Sequence, residues 1–169
     1  LALPAPSGAA QARNAGLARA HGGWTAFLDD DDEWLAPKLE RQLDVAVATD
    51  AGLVYCAYEL VSDNGPARIA PWIPEPAGLA DTDFLRDTAF NCSVPLIRTD
   101  LLRAAGGFDP DLPSAQDKDL WMRLVRVTPF AQASEVLVRQ HIHGDQMTAD
   151  LDRKIAGRRH FIRKYRSLL

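Results

Sequence analysis

Residues 25–34 read Thr25-Ala26-Phe27-Leu28-Asp29-Asp30-Asp31-Asp32-Glu33-Trp34, a short apolar run that ends in four aspartates, a glutamate and a tryptophan. A run this apolar predicts a buried strand, and such a strand delivers the carboxylates that follow it to one edge of a sheet. Ligand sites of open α/β sheets lie at the carboxyl ends of strands. Five crowded acids repel one another, so something positive has to offset them. Hard oxygen ligands suit Mg²⁺ or Mn²⁺, which in turn hold phosphate oxygens. On this reading Asp29 to Asp32 hold a divalent cation bound to a diphosphate. The plainer alternative is a solvated acidic loop, although Phe27-Leu28 ahead and Trp34-Leu35 behind both want burial.

The 169 residues are enough for one domain with a real core, and 47% apolar with 25% charged residues is ordinary for a soluble chain. No run approaches the roughly 18 apolar residues of a membrane-crossing helix, and no signal peptide is visible. Cys56 and Cys92 sit in apolar surroundings with no metal spacing, and read as buried free thiols of a reducing compartment. The net charge of −4 is uneven: residues 151–169 hold seven basic side chains and one acid, leaving 12 basic against 22 acidic in the rest. An acidic body with a basic tail argues against a nucleic-acid binder and permits contact with an anionic surface.

Outward from the acidic stretch, Ala9–Ala20 predicts a helix stopped by Gly22-Gly23 and carrying Arg13, whose guanidinium suits phosphate or base oxygens. After it, Pro37 opens a helix whose Leu35, Leu39, Leu43 and Val47 recur every four residues, a stripe expected to lie on the sheet. Leu53–Val61 predicts a strand ended by the turn Ser62-Asp63-Asn64-Gly65, and proline-rich 66–80 an irregular loop. Phe90–Arg98 predicts a strand that Pro95 relegates to an edge or a bulge. A short helix, Leu101–Ala105, precedes Gly106-Gly107-Phe108-Asp109, where two glycines allow close backbone approach. Asp117 and Asp119 open the next helix; the helix dipole explains acids there, and so would a general base. Glu135–Arg139 predicts a last strand leading to His141 and His143, which face the same way on an extended segment. Leu151–Leu169 reads as a basic amphipathic helix with Ile155, Ile162, Tyr165 and Leu169 towards one side, packed on the body or, as the sharper alternative, docked on a membrane.

Several of these stretches, in order, resemble the family 2 glycosyltransferases of the GT-A fold, over about Ser7 to Thr148. Ala12-Arg13-Asn14-Ala15-Gly16 is similar to the family's "ARNxG" helix, and Phe27 to Trp34 to its metal-binding DxD segment, continued by Pro37-Lys38-Leu39-Glu40. Gly106-Gly107-Phe108-Asp109 followed by Gln116-Asp117-Lys118-Asp119-Leu120-Trp121 is similar to its "GGFD…EDxDLW" run, and His143-Gly144-Asp145-Gln146-Met147-Thr148 to its histidine segment. A haloacid-dehalogenase-like phosphatase also places aspartates after a strand, but its motif wants Thr or Val after the second aspartate.

The resemblance implies an α/β fold with a mixed, mostly parallel sheet flanked by helices, the catalytic domain occupying 1–150 and the basic helix 151–169. It implies a metal-dependent, inverting transfer of a sugar from a nucleotide-diphosphate donor, a UDP-sugar foremost, to a hydroxyl of a saccharide or lipid-linked acceptor of the cell envelope. Asp29 and Asp31 become the DxD pair. Arg13, Asp29 and Asp30 go to the nucleotide; Asp31, Asp32 and His143 to Mn²⁺ or Mg²⁺; and Asp117 becomes the base. Trp121 is expected to be core packing beneath the nucleotide base. The expected location is cytoplasmic, with peripheral contact at the inner face of the membrane as the alternative to a helix packed on the body. Family members begin with a strand, a helix and a second strand that have no counterpart before Leu1. The fold is therefore expected to be N-terminally incomplete, with weak folding or weak nucleotide binding by this chain alone and an inactive or binding-only remnant as the alternative. Gln116 stands where the family often has glutamate, a mild change.

Overall fold

A computed structural model describes residues 8–62, 65–70, 90–143 and 151–166. The elements are α1 (Ala9–Arg19), β1 (Trp24–Ala26), β2 (Asp32–Trp34), α2 (Lys38–Thr49), β3 (Leu53–Ser62), β4 (Gly65–Ile69), β5 (Leu96–Arg98), α3 (Thr99–Ala104), α4 (Gln116–Leu124), β6 (Phe130–Ile142) and α5 (Leu151–Lys164). The sheet runs β1-β5-β3-β6-β2, with β4 hairpinned onto β3. It is mixed, as expected, but its parallel share is smaller than expected. Only β3 and β6 run parallel, and the other pairings among the described strands are antiparallel. The 13-residue β6 is the spine, paired along its length with β3 and near its end with β2. Those pairings set the acid-rich β2 beside the end of β6, just before His143.

The core lies between this sheet and α4. Leu53, Val54, Tyr55 and Cys56 are fully buried, which is why the first half of β3 reads as a continuous apolar run. Phe90 stacks on Tyr55 at 4.9 Å and tilts against Trp121 at 5.5 Å, and the Trp121 indole donates to the Phe90 carbonyl at 3.1 Å. Trp121 is core packing, as expected. Both cysteines are free and buried, and burial pushes the Cys56 thiol up to about 12.

Four local expectations are corrected. β1 is a half-buried edge strand of three residues, not a buried run through Leu28, whose side chain is 49% exposed. Only Leu96–Arg98 of the stretch 90–98 is strand, and it lies inside the sheet between β1 and β3. Pro95 directly precedes β5, where no ladder N–H is needed. The presumed loop from 66 begins as strand β4, while 71–89 fall outside the described residues, as do Asp63 and Asn64 of the expected turn.

The largest correction concerns α2. Its apolar stripe faces outward, with Val47 85% exposed and Leu39 and Leu43 also exposed, while Lys38, Gln42 and Ala46 are buried. The polar pair is satisfied where it lies. The Lys38 ammonium sits 4.4 Å from the centre of the Trp34 ring and donates to Gln42 Oε1 at 2.7 Å. Gln42 Nε2 in turn donates to the carbonyls of Val54 (2.8 Å) and Val94 (3.0 Å). Burial lowers the Lys38 pKa to about 8. Exchanging Gln42 for leucine leaves two buried carbonyls and one buried ammonium short of a partner. Gln42→Leu is expected to cost about 2–4 kcal/mol in urea unfolding; an unchanged midpoint would show that Gln42 does not perform this role.

Candidate active site

The backbone of the acidic turn is tethered before its side chains do anything. Asp29 N–H donates to Ser93 Oγ at 3.0 Å, the Trp34 indole to the Ser93 carbonyl at 2.8 Å, and Asp32 N–H to the Asp29 carbonyl at 3.1 Å. Trp34, the residue that closes the acid run, thus fixes it to the segment ahead of β5.

The side chains then divide. Asp29 pairs with Arg13 of α1 at 2.5 Å, and the Arg13 guanidinium lies over the Phe108 ring at 5.4 Å. α1 is held in place by Asn14, whose amide donates to the Phe108 carbonyl at 2.7 Å and accepts from the Phe108 N–H at 2.8 Å. Gly107 makes this approach possible. Its φ is +69°, and a Cβ there would lie 2.4 Å from Asn14 Oδ1. The "ARN" and "GGFD" stretches are therefore two halves of one contact. Asp31 faces His143, with Oδ2 to Nε2 at 3.2 Å.

Asp32 goes elsewhere. Its Oδ2 accepts from Asn91 Nδ2 at 2.7 Å, while Oδ1 is buried without a hydrogen bond of ordinary geometry. Burial raises its pKa, with the Ser93 and Asn91 side chains opposing the shift.

Arg13, Asp29, Asp30, Asp31, Asp117 and His143 all line one cleft of about 900 Å³, a size suited to a small-molecule ligand. Six of the seven residues expected from the sequence share this wall; Asp32 does not line it. Arg153 and Lys154 of α5 line the cleft as well. Asn14, Asn91 and Ser93, which hold the site in shape, went unread because their partners are 59 to 94 residues away and leave no local pattern.

Asp117 and Asp119 open α4 but face different surroundings, since residues two apart on a helix do not share a side. Asp119 is fully buried, paired with Arg123 (2.7 Å) and Lys164 (2.6 Å) and accepting from the Tyr165 hydroxyl at 2.7 Å. It anchors α5 to the body. Asp117 faces the cleft, where burial raises its pKa against the opposing pull of the Lys118 N–H and of Arg13.

Among the described residues no group of three or more His, Cys, Asp or Glu is gathered to hold a metal by itself. The donor chemistry is nevertheless compatible with such an ion: Mg²⁺ is commonly held by one or two carboxylates plus substrate phosphates, and Asp31 would supply a carboxylate on the cleft wall with His143 beside it.

Residues 1–97 match the sequence profile of glycosyl transferase family 2. The chain belongs to that family. TuaG of Bacillus subtilis, a glycosyltransferase named for teichuronic acid biosynthesis, is 33% identical over 120 residues, covering 71% of this chain and 46% of TuaG. WfgD of Escherichia coli, a UDP-Glc:alpha-D-GlcNAc-diphosphoundecaprenol beta-1,3-glucosyltransferase, is 29% identical over 119 residues, covering 70% and 45%. This family 2 chain thus spans under half the length of these curated relatives. In fold it resembles S. aureus TarS in complex with UDP-GlcNAc (TM-score 0.64, 18% identity, 85% of this chain and 42% of that one). It also resembles the mannosyltransferase PcManGT of Pyrobaculum calidifontis in complex with GDP-Man and Mn²⁺ (TM-score 0.60, 18% identity, 92% and 44%). The expected GT-A architecture is the one observed.

The raised pKa of Asp117 carries a stability consequence of definite sign. The folded state holds this proton more tightly than the unfolded chain, so the contribution is favourable only at low pH and is lost as pH rises through the folded pKa. Asp117→Asn is therefore expected to raise the melting temperature at neutral pH, with the gap closing as pH falls towards the ordinary carboxylate pKa near 4. A variant that melts at or below the parent temperature at pH 7 would contradict the burial of this charge.

Proposed function

We propose that this chain is the catalytic portion of a metal-dependent, inverting glycosyltransferase that moves a sugar from a nucleoside diphosphate donor to a hydroxyl acceptor. One observation carries the reading: a single cleft places an acidic turn, with Asp31 against His143, together with a desolvated carboxylate, Asp117, on a rigid helix. Arg13, Asp29 and Asp30, on the same cleft wall, would contact the nucleotide. Asp31 and His143 would hold Mn²⁺ or Mg²⁺, with Asp32 supporting the turn through Asn91. When bound, the ion supplies Lewis-acid stabilisation of the charge on the departing diphosphate.

Asp117 takes the proton of the acceptor hydroxyl as its oxygen attacks the anomeric carbon. The new C–O bond forms on one face while the bond to the phosphate oxygen breaks on the other, its electron pair leaving with the nucleoside diphosphate. A single displacement of this kind inverts the anomeric centre. The raised pKa of Asp117 suits the role, because a base must be strong enough to accept the proton.

A UDP-sugar is the favoured donor and an envelope saccharide or a lipid-linked diphosphate the favoured acceptor. The named activity of WfgD and the UDP-GlcNAc complex of TarS support both choices by similarity. Catalysis on the cytoplasmic side follows from a nucleotide-sugar donor.

Calorimetric titration of UDP with and without Mn²⁺ tests the binding half. Binding is expected to tighten with Mn²⁺, and Asp31→Ala to abolish that gain while leaving metal-free binding in place. Asp117→Asn is expected to lower transfer by about 10²–10⁴-fold while UDP affinity stays unchanged. Full transfer by Asp117→Asn would overturn the base assignment, and metal-dependent UDP binding without any transfer by the parent chain would favour a binding-only module.

A further inference from the structure

α5 has two faces of different character. Gly157, Phe161 and Tyr165 pack inward, so closely that a Cβ on Gly157 would lie 2.0 Å from Ser114 Oγ. The expected inward stripe is therefore split: Tyr165 is buried, whereas Ile155 and Ile162 are 42% and 45% exposed and Leu151 is 67% exposed. Spaced by four and seven residues, these three share one side of the helix. Exposed arginines border them, Arg159 along one margin and Arg158 along the other, with exposed Arg166 just past the end of the helix. The opposite edge of α5 reaches the cleft through Arg153 and Lys154. Among the described residues no helix is long and apolar enough to cross a membrane.

We propose that the outward side of α5, Leu151, Ile155 and Ile162 with their arginine margins, docks on an anionic lipid bilayer and holds the cleft rim at its surface. The charge distribution favours a bilayer over a protein partner. Residues 151–169 carry seven basic groups and one acid on an otherwise acidic chain; with Lys164 taken up by Asp109 and Asp119, the other six still make this helix the part attracted to an anionic surface while the body is repelled. The apolar strip is narrow and ringed by long basic side chains, the pattern of a helix lying in the interfacial plane. The inference rests on the proposed function only in giving the docking a purpose, the presentation of a lipid-linked acceptor. Docking itself is read without turnover.

Co-sedimentation of the full chain with vesicles tests it. The chain is expected to pellet with vesicles of phosphatidylcholine containing phosphatidylglycerol, to stay in solution with pure phosphatidylcholine, and to be released by raised NaCl. Ile155→Asp with Ile162→Asp, and separately Arg159→Glu with Arg166→Glu, are each expected to weaken partitioning by on the order of tenfold or more. The arginine pair should leave the melting temperature unchanged, since both side chains are exposed, and so separates lost docking from lost folding. Failure of the parent chain to pellet would overturn the proposal, as would equal pelleting with both vesicle types. Unchanged partitioning of the isoleucine pair, or full competition by soluble glycerol phosphate, would show a simple anion site and overturn it too. Transfer activity lost with docking intact would count against the proposed reaction and leave the membrane surface standing.

Discussion

Carboxylates crowded into one turn raise each other's energy, and this constraint organises the structure. Three of the acids at that turn are dealt with separately. Arg13 neutralises Asp29, Asn91 takes one oxygen of Asp32, and Asp31 meets His143. The backbone is pinned at Ser93 from two directions, by Asp29 and by the Trp34 indole. What remains of the negative charge is directed into one cleft, where the proposed cation would offset it.

A second division of labour runs through α4. Asp119 and Asp117 differ by two positions and by everything around them. Asp119 is saturated by Arg123, Lys164 and Tyr165, and through the last two it ties α5 to the body. Asp117 is left with the Lys118 N–H and the more distant pull of Arg13, so burial raises its pKa. One helix start thus carries a structural carboxylate and the one proposed as the base. Anchoring α5 in this way also sets Arg153 and Lys154 on the cleft wall.

The acid run, the "ARN" helix and the "GGFD" turn were legible because each is a short stretch whose chemistry is local. Position along the chain did not reveal that Asn14 clips two of them together. The face of α2 was misread for a physical reason. Periodicity assumes that apolar side chains point inward, yet the buried side of this helix needs a donor for the carbonyls of Val54 and Val94, and an aromatic face is available to Lys38. β1 looked buried because its residues are apolar, but it pairs only with β5 among the described strands. Periodicity grouped Ile155 and Ile162 with Tyr165; only the packing of Gly157 against Ser114 shows which side turns inward.

The central claim is that the acidic turn and Asp117 share one cation-dependent site for a diphosphate. Anomalous diffraction from crystals grown with UDP and MnCl₂ tests it most directly. The account predicts one manganese peak beside Asp31 Oδ2 and His143 Nε2, with the diphosphate on it and Asp117 across the same cleft. Manganese absent from that place, or UDP bound with those side chains turned away from it, would contradict it.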